Sequence, residues 1–220
     1  MSFIKFYLIK NLLIVFLLGL VGCTYTESLD KNFYPSLDNV GVEEKLDLKI
    51  GLVNSTTTKD LKFRASNAGH GVDIAIGDSV ITSMAKELSS IFKFVNIIDR
   101  PLSSLNIDLY AYPSVEWRET GRDSMSGNID YQIETNIVFK EKNSGITIAK
   151  FNDSHNAHYS PPSNARALKI LEGASLFLLA PITSSLATQS IGEEAEKLLK
   201  AHMIKSLRSI GDQITDDINI

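Results

Sequence analysis

Five stretches of the chain carry a hydrophobic pattern typical of β-strands, in which apolar and polar residues alternate or a short apolar run is bounded by polar residues. The clearest runs from Ile129 to Phe139, where one side of the pattern is apolar and the other mostly polar. Such a strand has one buried and one solvated face, as in an antiparallel sheet. The predicted strands are 46–54, 92–99, 105–117, 129–139 and 146–151.

Three further stretches repeat apolar residues at helical spacing and predict helices over 73–92, 163–180 and 193–216. The polar, glycine-containing segment 55–71 is predicted to be a long loop. The predicted fold class is α+β: a mostly antiparallel four- to five-stranded sheet with helices packed on one face. A C-terminal helical hairpin over 163–216 completes the prediction.

The first 23 residues have the pattern of an export signal. Two lysines precede 12 uncharged, mostly apolar residues, Asn11–Gly22. A transmembrane helix needs about 20 such residues, whereas a secretory h-region needs fewer. The alternatives are an ordinary secretory signal and a short N-terminal anchor helix.

Leu20-Val21-Gly22-Cys23 resembles the lipobox of bacterial lipoproteins, and Cys23 is the only cysteine of the chain. The resemblance implies that the signal 1–22 is removed and that Cys23 receives an S-diacylglycerol and an N-acyl chain such as palmitate. Thr24, where an inner-membrane lipoprotein commonly has Asp, implies the periplasmic face of the outer membrane in a Gram-negative cell.

We expect residues 23–45 to be a lipidated N-terminus and tether, and residues 46–220 to be a single periplasmic domain. Without residues 1–22, 20 basic and 26 acidic residues remain, a net charge of −6. This charge disfavours nucleic acid as a partner. The expected partners are the membrane, through the lipid, and an envelope protein; a homo-oligomer is an open alternative.

The segments "KIGLVNS" and "ITSMAKELSSIFKFVNIID", together with the predicted element order, resemble small envelope lipoproteins with an α/β sandwich domain, of the LpoB and YajG types. The resemblance covers roughly residues 46–160. It implies a topology and says little about function.

Asp153, His155 and His158, in "FNDSHNAHYSPP", are the candidates for a metal site, because imidazole and carboxylate groups are common metal ligands. The preferred interpretation is a polar loop at the end of a strand. His70 and His202 could join them only through folding. No serine lies in a G-x-S-x-G motif. We therefore expect no cofactor and no enzymatic activity.

Two segments are candidates for protein contacts. Trp117 and Arg118 form a predicted exposed pair of residue types that are enriched at interfaces. Three alternative roles are open for the uncharged stretch Gly173–Gly192. Packing in the core is the preferred one, an interface is the second, and insertion into the membrane is the third. Its interaction candidates are Phe177, Leu178, Leu179 and Pro181.

These patterns together favour a lipid-anchored binding or scaffold protein in cell-envelope assembly or maintenance. Two alternatives remain open. One is a lipid-anchored, metal-assisted hydrolase built on the histidines. The other is a carrier of an apolar ligand held between sheet and helices.

Overall fold

The computed structural model describes residues 24–30, 45–67, 70–123, 126–164 and 180–218. Strands and helices follow one another along these ranges as β1 (Thr24–Ser28), β2 (Leu46–Val53), α1 (Thr56–Lys59), β3 (Lys62–Asn67), β4 (His70–Ala75), α2 (Gly77–Ile91), β5 (Phe92–Ile98), β6 (Leu109–Arg122), β7 (Ile129–Glu141), β8 (Thr147–Tyr159) and α3 (Ala180–Ile218).

The main sheet has five strands in the order β5-β2-β6-β7-β8. β2 is parallel to both β5 and β6, while β6, β7 and β8 form an antiparallel meander. The parallel β2–β5 pair is possible because α2 supplies the crossover that returns the chain to the same end of the sheet. The sheet is therefore mixed, and the predicted antiparallel arrangement is confirmed only for β6 to β8.

Helices α2 and α3 pack on one face of this sheet, as predicted. From Ile129 to Phe139 the alternation along β7 buries the odd-numbered residues, whereas the even-numbered ones are exposed or half-buried. One core cluster contains residues from the sheet and from both helices, among them Ile50, Ile137, Phe139, Met84, Leu88, Leu207 and Ile210. Burial of these side chains, each stabilising by about 1.5–3 kcal/mol, holds the two layers together.

A second sheet replaces the loop that the sequence predicts over 55–71. It has the order β1-β4-β3, with β3 antiparallel and β1 parallel to β4. Phe63 and Ala65 of β3 are buried against β7 and α3. The loop prediction is wrong because two inward apolar residues on a short strand are too few to stand out from a polar segment.

The predicted tether is also wrong at its start, because Thr24–Ser28 is a strand of this second sheet. Leu29 follows it and is buried, and the Ser79 hydroxyl donates a 2.9 Å hydrogen bond to the Leu29 carbonyl. The chain is thus built into the fold from Thr24 to Asp30. Residues 31–44 of the predicted tether lie outside the described residues.

Helix α3 runs from Ala180 to Ile218, well beyond the predicted 193–216. Pro181 lies in its first turn, where a missing backbone N–H breaks no intrahelical bond. Phe177, Leu178 and Leu179 lie outside the described residues, as does most of the other arm of the predicted hairpin. No helix in the described ranges is long and apolar enough to cross a bilayer.

A buried Asp-His-His cluster as the candidate functional site

Strand β8 continues to Tyr159 instead of ending at Phe151, so the histidine-containing segment is strand and not loop. Successive side chains on a strand point to opposite faces of the sheet. Asp153 and His155 lie on the face covered by α3, and their side chains are only 13% and 9% exposed. His158 lies on the other face.

Four side chains from β8 and α3 form a connected polar cluster on the helix-covered face. Nδ1 of His155 lies 2.8 Å from Oδ2 of Asp153, and the Ser206 hydroxyl donates to the same oxygen at 2.9 Å. Nε2 of His155 lies 2.9 Å from Nδ1 of His202, with the two ring planes 18° apart. His202 and Ser206 are one helical turn apart, so α3 presents both to β8.

Asp153 determines where the protons of this cluster lie. Burial by itself raises the pKa of Asp153, but hydrogen bonds from Ser209, His155 and Ser206 outweigh it and lower the pKa below its ordinary value. The carboxylate is therefore ionised at neutral pH and accepts the Nδ1 proton of His155. At 2.9 Å, Nε2 of His155 and Nδ1 of His202 share one N–H, and which ring donates it depends on the tautomer.

His202 is kept neutral by its surroundings. Burial lowers its pKa, and the positive charges of His155, when protonated, and of Lys205 lower it further. The cluster is thus a relay of hydrogen bonds whose polar atoms satisfy one another between strand and helix.

The cluster does not have the geometry of a metal or nucleophile site. Asp153 lies at one nitrogen of the His155 ring and His202 at the other, so the three groups do not converge on one point. The described part of the chain contains no group of three or more His, Cys, Asp or Glu residues arranged to hold a metal ion. The Ser206 hydroxyl bonds the carboxylate, whereas an activated serine bonds the base.

The three candidate residues Asp153, His155 and His158 do not lie together in the fold. Nδ1 of His158 lies 2.7 Å from Oδ1 of Asp130 on the opposite face, where both side chains are more than half exposed. His202 takes the place of His158. One feature of the sequence could have indicated His202: it lies four residues before Ser206, and both are polar residues on the apolar side of a predicted helix.

Trp117 and Arg118 do not form the predicted exposed pair, because the strand period places them on opposite faces of β6. The Trp117 ring packs on the core, with its centroid 4.9 Å from that of Phe63. Arg118 points to the other face and pairs with Glu116 at 3.2 Å.

The face of β6, β7 and β8 turned away from the helices, called the outer face below, is rich in amides, hydroxyls and charges. Asn152 donates to Asn136 across the strands at 2.7 Å, and Gln132 donates to Ser154 at 3.3 Å. These side chains are exposed or half-buried. The outer face comprises Ser114, Glu116, Arg118, Gln132, Glu134, Asn136, Asn152, Ser154 and Asn156.

No protein-family model and no curated protein matches this chain. A DUF330-family protein from Xanthomonas campestris is 10% identical, with 87% of this chain and 99% of the other covered and a TM-score of 0.40. A minor lipoprotein from Acinetobacter baumannii is 11% identical, with 70% and 96% covered and a TM-score of 0.35. A lipoprotein from Neisseria meningitidis is 12% identical, with 61% and 99% covered and a TM-score of 0.34. Likenesses at these TM-scores do not extend to function, and the resemblance to LpoB and YajG lipoproteins stays a prediction.

Proposed function

We propose that this protein is a lipoprotein anchored through Cys23 to the periplasmic face of the outer membrane, where it acts as a binding or scaffold module of the cell envelope. The observation that carries the proposal is the sequence Leu20-Val21-Gly22-Cys23, which ends directly before the first strand of the fold. Cleavage before Cys23 would remove the apolar segment and leave the folded domain intact.

The anchor accounts for membrane attachment without help from the protein surface. A single acyl chain binds a bilayer only marginally, at roughly 0.8 kcal/mol per buried CH₂, whereas two or three chains on one residue bind stably. The domain is acidic, with a net charge of −6 after residues 1–22 are removed, so charge does not attract it to anionic lipid. Lipid attached to Cys23 would therefore supply the attachment.

A binding role fits the geometry better than the hydrolase alternative does. The hydrolase requires Asp153, His155 and His158 in one site, and they lie on two faces of β8. The buried cluster joins β8 to α3, which makes it a structural element. The outer face offers donors and acceptors such as Asn136 and Asn152 over three adjacent strands and suits a polar protein surface.

The anchor is tested by intact-mass analysis of the protein purified from envelopes, with Cys23→Ala as the control. We expect the wild-type mass to correspond to a chain that starts at Cys23 and carries acyl groups. The variant is expected to keep its signal or to lose its membrane association. A wild-type chain with a free thiol would overturn the proposal.

The binding surface is tested by chemical crosslinking in intact cells. Glu134→Lys places a new positive charge in the middle of the outer face and is expected to abolish a crosslinked species that wild type forms. Lys197→Glu, on the exposed side of α3, reverses a charge elsewhere and is expected to leave that species unchanged. Equal crosslinking in both variants would exclude the outer face.

A further inference from the structure

We infer that the lipid anchor holds one end of the small sheet, formed by Thr24, Asn67 and His70, directly against the bilayer surface. The inference rests on the proposed lipidation of Cys23. The domain then sits on the membrane in a fixed orientation and does not move on a flexible tether. The surface that this end of the sheet contacts is the bilayer that carries the anchor.

The length of chain between lipid and fold is the first argument. A flexible tether over residues 23–45 would let the domain move about 25 Å from its anchor. Thr24 instead begins β1, so the Cα atom of the lipidated residue lies only about 3.8 Å from the Cα atom of a residue in the sheet. No flexible segment separates the two.

The register of the small sheet is the second argument. Thr24 pairs with Gly71 of β4, and Gly71 pairs with Ser66 of β3. Because neighbouring strands lie about 4.8 Å apart, the ends of β3 and β4 at Asn67 and His70 lie within roughly 10 Å of the start of β1. A bilayer that receives the acyl chains of Cys23 therefore lies close to all three strand ends.

Strand β1 is also fixed to the body of the domain, so the anchor cannot simply pull it away. The backbone N–H of Leu29 donates to the Ala75 carbonyl at 3.1 Å, and the Leu29 side chain is 97% buried in the core. The Ser79 hydroxyl on α2 donates to the Leu29 carbonyl at 2.9 Å. A position imposed on β1 is thus transmitted to the domain.

The charge pattern of this end is the third argument. The domain is acidic, but residues 65–72, "ASNAGHGV", contain no Asp, Glu, Lys or Arg. The next charged residues on β3 and β4, Arg64 and Asp73, neutralise each other in a 2.6 Å ion pair. On β1 the first charged residue is Glu27, three residues after Thr24. The strand ends themselves therefore carry no charge that would repel anionic headgroups.

The turn between β7 and β8 contains a control position that is far from this end of the small sheet. The Tyr131 hydroxyl lies 3.3 Å from the Arg64 carbonyl, which places the small sheet beside the start of β7. Glu141 is ten residues further along that strand, or about 33 Å. Asn143, exposed in the turn that follows, is therefore far from the proposed membrane-facing end.

The test uses the lipidated full chain in phosphatidylcholine vesicles whose headgroups carry a nitroxide quencher. A fluorophore is attached in turn through Ser66→Cys, Lys62→Cys and Asn143→Cys, since an acylated Cys23 does not react. We expect quenching at 66 to exceed that at 143 several-fold, with 62, about 13 Å further along β3, between them. Twenty Gly and Ser residues inserted between Cys23 and Thr24 are expected to reduce quenching at 66 to the level at 143.

Intact-mass analysis of each labelled protein separates the two ways in which the experiment can fail. Equal quenching at the three positions in a protein whose mass shows the acyl chains overturns this inference and leaves the proposed function standing. The same holds if the inserted linker leaves quenching at 66 unchanged. A mass without acyl chains overturns the proposed function, and this inference falls with it.

Discussion

His155 and His202 are 47 residues apart in the chain, yet Nε2 of the first lies 2.9 Å from Nδ1 of the second. One N–H fits between two nitrogens at that distance, and two do not. The contact between β8 and α3 therefore requires that at least one of the two rings be neutral. Acid is expected to weaken the attachment of the C-terminal helix to the sheet.

The first prediction concerns pH and His202. Its pKa in the fold lies below the ordinary value of 6.5, so the unfolded chain takes up this proton first as the pH falls through 6.5. The free energy of unfolding must then decrease below pH 6.5. His202→Gln does not titrate, but its amide offers both an N–H and a carbonyl oxygen to His155. We expect the decrease in unfolding free energy between pH 7 and pH 5, measured by urea denaturation, to be smaller in this variant.

His158→Gln is the matched control, because His158 is an exposed histidine on the same strand as His155. It leaves the contact between His155 and His202 intact, so the acid response of that contact is expected to remain. If His202→Gln and His158→Gln gave the same pH profile, the interhistidine bond would not control the acid response.

The second prediction compares two aspartates. Asp153→Asn removes a buried charge that accepts hydrogen bonds from His155 and Ser206. Asn keeps one acceptor oxygen but loses the charge, and one hydrogen bond to a charged group contributes about 1.5–3 kcal/mol, so the free energy of unfolding at pH 7 should fall by about that amount. Asp130→Asn, at an exposed carboxylate paired with His158, should have a much smaller effect.

The pH range of the Asp153 contribution is distinct from that of His202. Its pKa is lowered below the ordinary value of 3.8, so the stabilisation is fully present above pH 3.8 and is lost as the pH falls through the still lower pKa of the fold. The difference between wild type and Asp153→Asn should therefore persist at pH 5. A difference that disappears at pH 5 would contradict this assignment.

The sequence predicted the elements whose burial pattern is long and regular. Strand β7 and the central part of α3 were correct because many consecutive positions repeat one period. The small sheet was missed because its strands have six residues or fewer. β3 and β4 each bury only two apolar side chains. Such a strand is stabilised by pairing with strands that are distant in the sequence, and the local pattern of apolar residues gives no information about that pairing.

The candidate site was predicted in part for the same reason. Asp153 and His155 were identified by type and spacing, but their neighbours depend on the face each one takes. Because β8 was predicted to end at Phe151, the strand alternation that places His155 and His158 on opposite faces could not be recognised. His202 comes from a distant helix, and only the packing of α3 on β8 brings it within hydrogen-bonding distance.

The third prediction concerns a close approach between α1 and α2. A Cβ atom at Gly77 would lie 2.1 Å from the backbone oxygen of Thr58 and 2.6 Å from that of Lys59. Backbone atoms cannot move aside as a flexible side chain can. Gly77→Ala should therefore destabilise the fold by about 1–3 kcal/mol in thermal or urea unfolding. Thr82→Ala, on the same helix, is the control and should change stability far less; equal losses would contradict the predicted clash.

The fourth prediction concerns the free edge of β8, the last strand in the order of the main sheet. Gln213 of α3 covers part of this edge, since its amide donates to the Asn152 carbonyl at 2.9 Å and accepts from the Asn152 N–H at 3.4 Å. Unpaired edge groups promote pairing with another chain.

Gln213→Ala exposes both backbone groups and should increase self-association, measured by sedimentation velocity of the domain without its first 23 residues. Gln189→Ala removes an amide from an exposed position of the same helix, where its hydrogen bond to Glu193 touches no strand, and should leave the domain unchanged. Self-association that is the same in both variants would show that Gln213 does not protect the edge. Because the two substitutions change helix propensity equally, a difference between them reports the contact with β8 alone.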